Sequence, residues 1–294
     1  VFFENDGRML SLETGRHLLE FDILAFSVSF ELDYLNILRI LEIASIPLRN
    51  SERKNNLPVM IVGGVITHFN FKPLVKIFDA IVVGEAEFLI HRLMDEFDKF
   101  FSRKIDGSKS NFLKSLSRLN GFFVEGKAEH VIPEVIPDIN QFETCTRVLS
   151  EFTEFSNVFL IEVSRGCPFK CSFCVTAHMY KHFRFRDADR VLETARRGLK
   201  FTKRIGLIGS SLPNYPEISF LCKELRSLGA QISFSSLRVE FVTEEILDFL
   251  IESGQHSITI APETGSERLR NLINKSISDE SILRVINLAK LKGI

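Results

Sequence analysis

The sequence of 294 residues contains no tryptophan and only five cysteines, and 28 phenylalanines supply almost all of its aromatic side chains. It has no apolar run long enough to span a membrane, and it lacks the basic-then-apolar N-terminal segment typical of secretion signals. The net charge of −1 gives no general reason to expect a nucleic acid or an anionic membrane as a partner. A reducing cytoplasm is therefore the expected location.

Three of the five cysteines lie close together in the middle of the chain. They are spaced as Cys167-x3-Cys171-x2-Cys174, and they follow an apolar run over residues 158–163 that predicts a buried strand. Three thiolates on one short loop can hold a single soft metal centre. They are one ligand too few for a closed tetrahedral site. They could, however, hold three irons of a cubane iron–sulfur cluster and leave the fourth iron open.

Two other interpretations use the same cysteines. His178 would complete a zinc site of three cysteines and one histidine, which would make the region a zinc-stabilised, non-catalytic module that binds RNA or protein. A disulfide would leave one of the three thiols unpaired, and nothing else indicates secretion. A zinc knuckle is usually a small module of its own. These cysteines instead follow a hydrophobic strand within a long chain, which favours the cluster.

Residues 181–204 form a basic stretch with nine Lys or Arg and three Asp or Glu. Such charge can attract an anionic substrate, an electron donor or RNA phosphates. A solvated helix face explains the same composition and is the preferred interpretation. Nucleic acid is thus a possible partner that the sequence does not specifically indicate, and Arg184 and Arg186 are the residues to test.

The cysteine motif, with Phe173 directly before the last cysteine, resembles that of the radical S-adenosylmethionine (radical SAM) enzymes. The resemblance implies a [4Fe-4S] cluster on Cys167, Cys171 and Cys174, with S-adenosylmethionine (SAM) chelated at the open iron. An electron from the cluster would cleave SAM to a 5′-deoxyadenosyl radical that acts on an unknown substrate. An electron donor such as flavodoxin or ferredoxin would be a partner.

The C-terminal half alternates predicted strands and helices from residue 158 onward, which indicates an α/β fold. The four predicted strands cover residues 158–163, 204–209, 231–236 and 256–261. Radical SAM cores are usually partial barrels of six β/α units. The resemblance therefore predicts a radical SAM partial barrel over residues 158–294, truncated at its C-terminal end after four units.

Each predicted barrel strand ends in polar residues, and active sites of β/α barrels form at these carboxyl ends. The residues expected to contact SAM are Phe173, Gly209, Ser210, Ser211, Ser235, Arg238, Glu263 and Ser266. Gly209 opens a Gly-Ser-Ser turn where the family usually has a Gly-Gly-Glu-like turn for the amino group of SAM. The acid of that turn is absent here, so backbone carbonyls and serine hydroxyls would have to replace it.

Four of these residues have expected roles that follow from their chemistry together with the resemblance. Arg238 would pair with the SAM carboxylate, because a guanidinium matches carboxylate geometry. Ser266, together with a helix N-terminus, could bind the same carboxylate. Glu263 could accept hydrogen bonds from the ribose hydroxyls, and Phe173 would pack beside the adenine.

Residues 1–101 also alternate strands and helices, which predicts a parallel sheet covered on both faces, as in flavodoxin-like folds. Gly63-Gly64 and the turn over residues 84–87 (Gly-Glu-Ala-Glu) lie at two strand ends. They resemble turns of the cobalamin-binding-like domain that precedes many radical SAM cores. No Asp-x-His-x-x-Gly loop supplies a cobalt ligand, so cobalamin is a possible cofactor without its usual histidine. We expect this domain to be incomplete at its N-terminus.

Two functions within the radical SAM enzymes can be compared with this pattern. A cobalamin-dependent radical SAM methyltransferase is the alternative that the N-terminal resemblance supports. Methylthiotransferases bind a second cluster through three N-terminal cysteines, whereas only Cys145 precedes Cys167 here, which argues against that function. Cys145 falls within residues 102–157, which are predicted to form a hairpin and a proline-stiffened linker between the two domains.

Overall fold

The structure is a computed structural model. It describes residues 2–3, 9–53, 57–102, 108–127, 130–180, 182–210, 212–233 and 237–294. The chain divides into two compact units, Val1–Ile136 and Pro137–Ile294. In the described part of the chain, no helix combines the length and the apolar character that a bilayer crossing requires.

The strands of the N-terminal unit are β1 (Phe2–Phe3), β2 (Met9–Leu10), β3 (Ile23–Ser27), β4 (Val59–Gly63), β5 (Ala80–Val82) and β6 (Phe122–Phe123). Four of them form a sheet in the order β3-β4-β5-β6, and β1 and β2 form a separate pair. Its α-helices are α1 (Asp33–Ile43), α2 (Ala86–Phe97) and α3 (Lys109–Leu116). Strands β3, β4 and β5 run parallel, and β6 runs antiparallel to β5.

Strand β4 of this sheet is buried on both faces. In β4, Val59 and Ile61 belong to one buried cluster and Met60 and Val62 to another, because successive side chains of a strand point to opposite faces. Helix α1 contributes to the cluster around Met60, whereas α2 and α3 contribute to the cluster around Val59. Each such side chain contributes roughly 1.5–3 kcal/mol by leaving water. The predicted α/β sheet with helices on both faces is confirmed.

The strands of the C-terminal unit are β7 (Phe159–Glu162), β8 (Ser164–Arg165), β9 (Arg184–Phe185), β10 (Arg204–Ile208) and β11 (Gln231–Ser233). Three of them form a parallel sheet in the order β11-β10-β7, and β8 and β9 form a separate antiparallel pair. Its α-helices are α4 (Val175–Met179), α5 (Ala188–Gly198), α6 (Ile218–Ser227), α7 (Glu244–Glu252), α8 (Glu267–Leu272) and α9 (Asp279–Leu291). One continuous core joins the sheet to helices α5, α6, α7 and α9.

The structure corrects the prediction of a fourth barrel strand over residues 256–261. In the described part of the chain it forms only one parallel bridge, between Leu237 and Ile260, with the Leu237 N–H donating to the Thr259 carbonyl at 2.9 Å. A ladder needs a paired partner at every second residue. Residues 234–236, which would extend this pairing towards β11, lie outside the described residues.

Residues 102–157, predicted as a hairpin and linker, are shared between the two units. Strand β6 pairs with β5, with Phe122 opposite Val82, so the predicted hairpin region extends the N-terminal sheet. Farther along, Cys145 forms an antiparallel bridge with Ile161 of β7. The division differs from the predicted domain boundaries because the backbone groups of this segment pair with a strand of each unit rather than with water.

Candidate active site

A single turn carries the chain from the central sheet of the C-terminal unit to the cysteines. Strand β7 ends at Glu162, and the short strand β8 follows it and pairs with β9. Gly166 then adopts a φ of +83°, and a Cβ at this position would lie 2.7 Å from the His182 carbonyl oxygen. Only glycine tolerates both the positive φ and this close approach. Cys167 therefore begins its loop directly against the β8-β9 pair.

A buried ion cluster fixes the base of this loop. Arg165 donates two hydrogen bonds of 2.8 Å to the Glu162 carboxylate, and Arg186 adds one of 3.0 Å. Burial raises the pKa of Glu162, but the hydrogen bonds and charges of the two arginines outweigh burial and hold that pKa below its ordinary value. Arg186 also donates to the carbonyls of Ile139 and Phe142. Arg186 is thus a buried structural residue, not part of an exposed basic rim.

The three cysteines of the loop are free thiols, with Cys171 buried and Cys167 and Cys174 half-buried. The Cys174 N–H donates to the Cys171 carbonyl at 3.1 Å, which closes a tight turn before α4. Burial raises the pKa of the Cys167 thiol, and the neighbouring thiols raise it further. Among the described residues, no three Cys, His, Asp or Glu side chains converge on a point that would hold one metal ion. A cluster differs from a single ion in taking one cysteine on each of three irons.

Arg238 makes the first contact between the cysteine loop and another β/α unit. Its Nη1 lies 3.8 Å from the Cys171 Sγ, and its guanidinium carbon lies 3.7 Å from the centroid of the Phe169 ring. Its Nη2 donates to Glu240 Oε1 at 2.5 Å. The residue expected to bind the SAM carboxylate is therefore engaged by the cysteine loop and by a carboxylate of its own chain.

The turn after α8, Ile273–Lys275, makes the second contact. The Ser172 N–H donates to the Ile273 carbonyl at 2.9 Å, and the Asn274 amide donates to the Ser172 hydroxyl at 3.0 Å. Asn274 has a φ of +55°, in the left-handed region that asparagine tolerates better than most residues. Two hydrogen bonds thus hold the segment between Cys171 and Cys174 to the fourth β/α unit.

Lys275 extends the same contact towards two predicted SAM residues. Its Nζ pairs with Glu263 at 2.6 Å and lies 5.7 Å from the centroid of the Phe173 ring. Glu263 has a φ of +71°, an uncommon and strained conformation for glutamate. The carboxylate that was expected to meet the ribose is thereby held beside the cysteine loop by a lysine.

The remaining predicted SAM residues have mixed outcomes. Gly209 directly follows β10, and a Cβ there would displace the Ser164 hydroxyl. The next residue, Ser210, is exposed. Ser211 and Ser235 lie outside the described residues. Ser266 is the N-cap of the six-residue helix α8, and its hydroxyl accepts a hydrogen bond from the Leu269 N–H at 3.4 Å.

Four residues of this site were not found by sequence reasoning: Phe169, Glu240, Asn274 and Lys275. Phe169 lies between two cysteines, and Glu240 lies two residues after Arg238, so local proximity was an available signal for both. Asn274 and Lys275 had no such signal, because about 100 residues of sequence separate them from the cysteines that they approach.

The glycine turns of the N-terminal unit were compared with the needs of a cobalamin site. Gly64 has a φ of +100°, and a Cβ there would lie 2.4 Å from the Val28 carbonyl oxygen. Gly84 has a φ of +123°, and a Cβ there would lie 2.3 Å from the Glu134 backbone nitrogen. In both turns the space beside the glycine is filled by the protein's own backbone. Close backbone packing therefore explains both glycines, and neither position offers the space of a cofactor cradle on the side of an added Cβ.

Two family models match the chain. The model described as radical SAM proteins, N-terminal, matches residues 2–125, and the model of the radical SAM superfamily matches residues 161–294. An uncharacterized protein of Methanocaldococcus jannaschii is 31% identical over 290 residues, which cover 96% of this chain and 59% of that protein. The chain spans about half the length of the curated relatives that it matches.

Two solved structures share the fold. The cobalamin-dependent SAM radical enzyme OxsB, with aqua-cobalamin bound, has a TM-score of 0.65 and 20% identity, covering 93% of this chain and 40% of its own. The radical SAM methyltransferase TsrM of Kitasatospora setae, with tryptophan and a SAM analogue bound, has a TM-score of 0.57 and 14% identity, covering 93% of this chain and 55% of its own. The chain belongs to the radical SAM superfamily of enzymes and carries the N-terminal domain of such proteins ahead of a partial barrel.

Proposed function

We propose that this chain binds a [4Fe-4S] cluster through Cys167, Cys171 and Cys174 and cleaves SAM reductively. The observation that carries the proposal is the position of three free thiols on one loop beyond the carboxyl end of β7. Barrel enzymes keep their reactive groups at this end of the strands. Three such thiols can ligate three irons.

The protein's own residues would hold and orient the reactants. When bound, the cluster supplies the electron that cleaves SAM to a 5′-deoxyadenosyl radical. The half-exposed ring of Phe173 offers an apolar face to the adenine. The backbone at Gly209 and the hydroxyl of Ser210 suit the amino group of SAM, and Glu263 suits the ribose hydroxyls.

The test is SAM cleavage by the anaerobically reconstituted protein. With a chemical reductant and SAM, we expect release of 5′-deoxyadenosine, and we expect none when Cys171 is replaced by alanine. The matched control is Cys222→Ala, which removes a cysteine that is buried in the core between helices. A wild-type protein that contains the cluster but releases no nucleoside would contradict the proposed reaction.

The electron donor is a separate part of the proposal. Radical SAM enzymes need an external reductant, and a flavodoxin or a ferredoxin is the expected class of donor in a cytoplasmic setting. Replacing the chemical reductant by reduced flavodoxin or reduced ferredoxin should sustain 5′-deoxyadenosine release. Failure with both proteins, with release retained under chemical reduction, would remove this class of partner.

A cobalamin-dependent radical methyltransferase is the second candidate within the enzyme class. It is favoured by the fold shared with OxsB and TsrM, and the filled glycine turns at Gly64 and Gly84 count against it. Purification in the presence of hydroxocobalamin would test whether the protein binds a corrinoid. Stoichiometric corrinoid absorbance that persists through gel filtration would support this candidate, and protein without a corrinoid would remove it.

A zinc-stabilised interaction module is the candidate of another class. It requires Cys167, Cys171, Cys174 and His178 to meet around one ion. It predicts one zinc per chain and no sulfide in protein purified without oxygen. His178→Ala separates the two ideas, because it should release zinc from such a module but leave the iron and sulfide of a cluster unchanged.

A further inference from the structure

The guanidinium of Arg238 lies between a cysteine sulfur and a carboxylate. Its Nη1 is 3.8 Å from the Cys171 Sγ, and its Nη2 is 2.5 Å from Glu240 Oε1. Cys171 is only 6% exposed, and the Arg238 side chain is 15% exposed. Little water separates these groups, so the charges act on the sulfur with less screening than at the protein surface.

The local structure holds Arg238 in this position. Its guanidinium stacks on the ring of Phe169, and Phe241 packs against the same ring with centroids 6.0 Å apart. Arg284 donates hydrogen bonds to the carbonyls of Val239 and Val242, which fixes the short turn that follows Arg238. The ring of Phe169 and the turn fixed by Arg284 thus hold the Arg238 guanidinium beside Cys171.

We propose that Arg238 and Glu240 form a charge pair that sets the reduction potential of the cluster held by Cys171. This inference rests on the proposed function. Potentials of such clusters depend on the local charge and on hydrogen bonds to the ligand sulfurs. A guanidinium beside the sulfur stabilises the electron added on reduction, and the carboxylate beyond it offsets part of that effect. Arg238 is then a positioning and tuning residue that acts through Cys171, not a partner of the SAM carboxylate.

The two members of the pair have opposite expected effects. Arg238→Gln removes the positive charge and should move the midpoint potential to a more negative value. Glu240→Gln leaves the positive charge uncompensated and should move the potential to a more positive value. Arg226→Gln is the matched control, because Arg226 forms an exposed pair with Glu252 on the outer helices and makes the same change in net charge. It should leave the potential at the wild-type value.

The experiment is a redox titration of the reconstituted cluster, followed by electron paramagnetic resonance in the absence of SAM, with SAM affinity measured in parallel. Opposite shifts in the two variants support the inference. Unchanged potentials with weaker SAM binding in Arg238→Gln overturn it and restore the carboxylate role. Should Arg238→Gln not assemble a cluster, the shift of Glu240→Gln decides alone. A wild-type protein without iron and sulfide overturns the proposed function as well, so the two failures are distinguishable.

Discussion

The two units differ in what lies beyond the carboxyl ends of their parallel strands. Ligands of parallel sheets bind beyond these ends. In the N-terminal unit, the glycine turns at Gly64 and Gly84 are filled by the backbone of Val28 and Glu134. In the C-terminal unit, the end of β7 leads into a loop with three free thiols. Backbone packing therefore accounts for the glycines of the N-terminal unit, whereas the strand end of the C-terminal unit leads to thiols that carry no disulfide.

The largest expected effect in this comparison comes from the cysteine loop. Cys171→Ala removes one of three proposed ligands, so the iron and sulfide bound after reconstitution should fall roughly tenfold or more. Cys222→Ala should keep the cluster and cost only about 1 kcal/mol of stability, because it leaves a small cavity in the core. Iron and sulfide assays on both variants check this. Equal loss in both variants would contradict the assignment.

Gly84→Ala tests whether the N-terminal turn is shaped by packing. The added Cβ would meet the Glu134 backbone in a left-handed conformation, so we expect a loss of about 2–4 kcal/mol in the free energy of unfolding. Gly126 has a φ of +70° with nothing within 4 Å of an added Cβ. Gly126→Ala should therefore cost only about 1 kcal/mol. Denaturation followed by circular dichroism suits a chain without tryptophan, and equal losses would show that packing does not require Gly84.

The contact between Ser172 and Asn274 should have a smaller effect. Glycine tolerates the φ of +55° at position 274, so Asn274→Gly removes only the amide that donates to the Ser172 hydroxyl. Combined with Ser172→Ala in a double-mutant cycle, it should give a coupling energy of about 0.5–1.5 kcal/mol. Hydrogen exchange in the cysteine loop should accelerate in each single variant. Strict additivity of the two substitutions would show that the bond does not hold the loop.

The acid range of the stability profile tests the buried ion cluster around Glu162. Because the folded pKa of Glu162 lies below its ordinary value, its contribution is complete above the unfolded pKa and is lost as the pH falls through the folded pKa. Glu162→Gln should therefore remove part of the acid-side decline in thermal stability and lower the stability at neutral pH. Parallel pH profiles of wild type and variant in the acid range would contradict the role of this carboxylate.

Local patterns in the sequence were sufficient for much of the fold. The predicted strands over residues 158–163 and 204–209 are confirmed as β7 and β10. The predicted strand over residues 256–261 forms a single bridge in the described chain, because a ladder depends on partners that a local pattern does not contain.

Local sequence patterns also predict only part of the candidate site. The spacing of Cys167, Cys171 and Cys174 is visible within eight residues of sequence. The contacts of this loop with Arg238 and Asn274 depend on how the β/α units close around it, over 67 and 102 residues of sequence. Residue type suggested that Arg238 would find an anion, but only the fold brings it to a cysteine sulfur.

The most direct test of the central claim is elemental analysis of wild-type protein purified and reconstituted without oxygen. A cluster on the cysteine loop predicts about four irons and four sulfides per chain, without stoichiometric zinc. One zinc per chain with no sulfide would contradict the cluster and establish the loop as a zinc site.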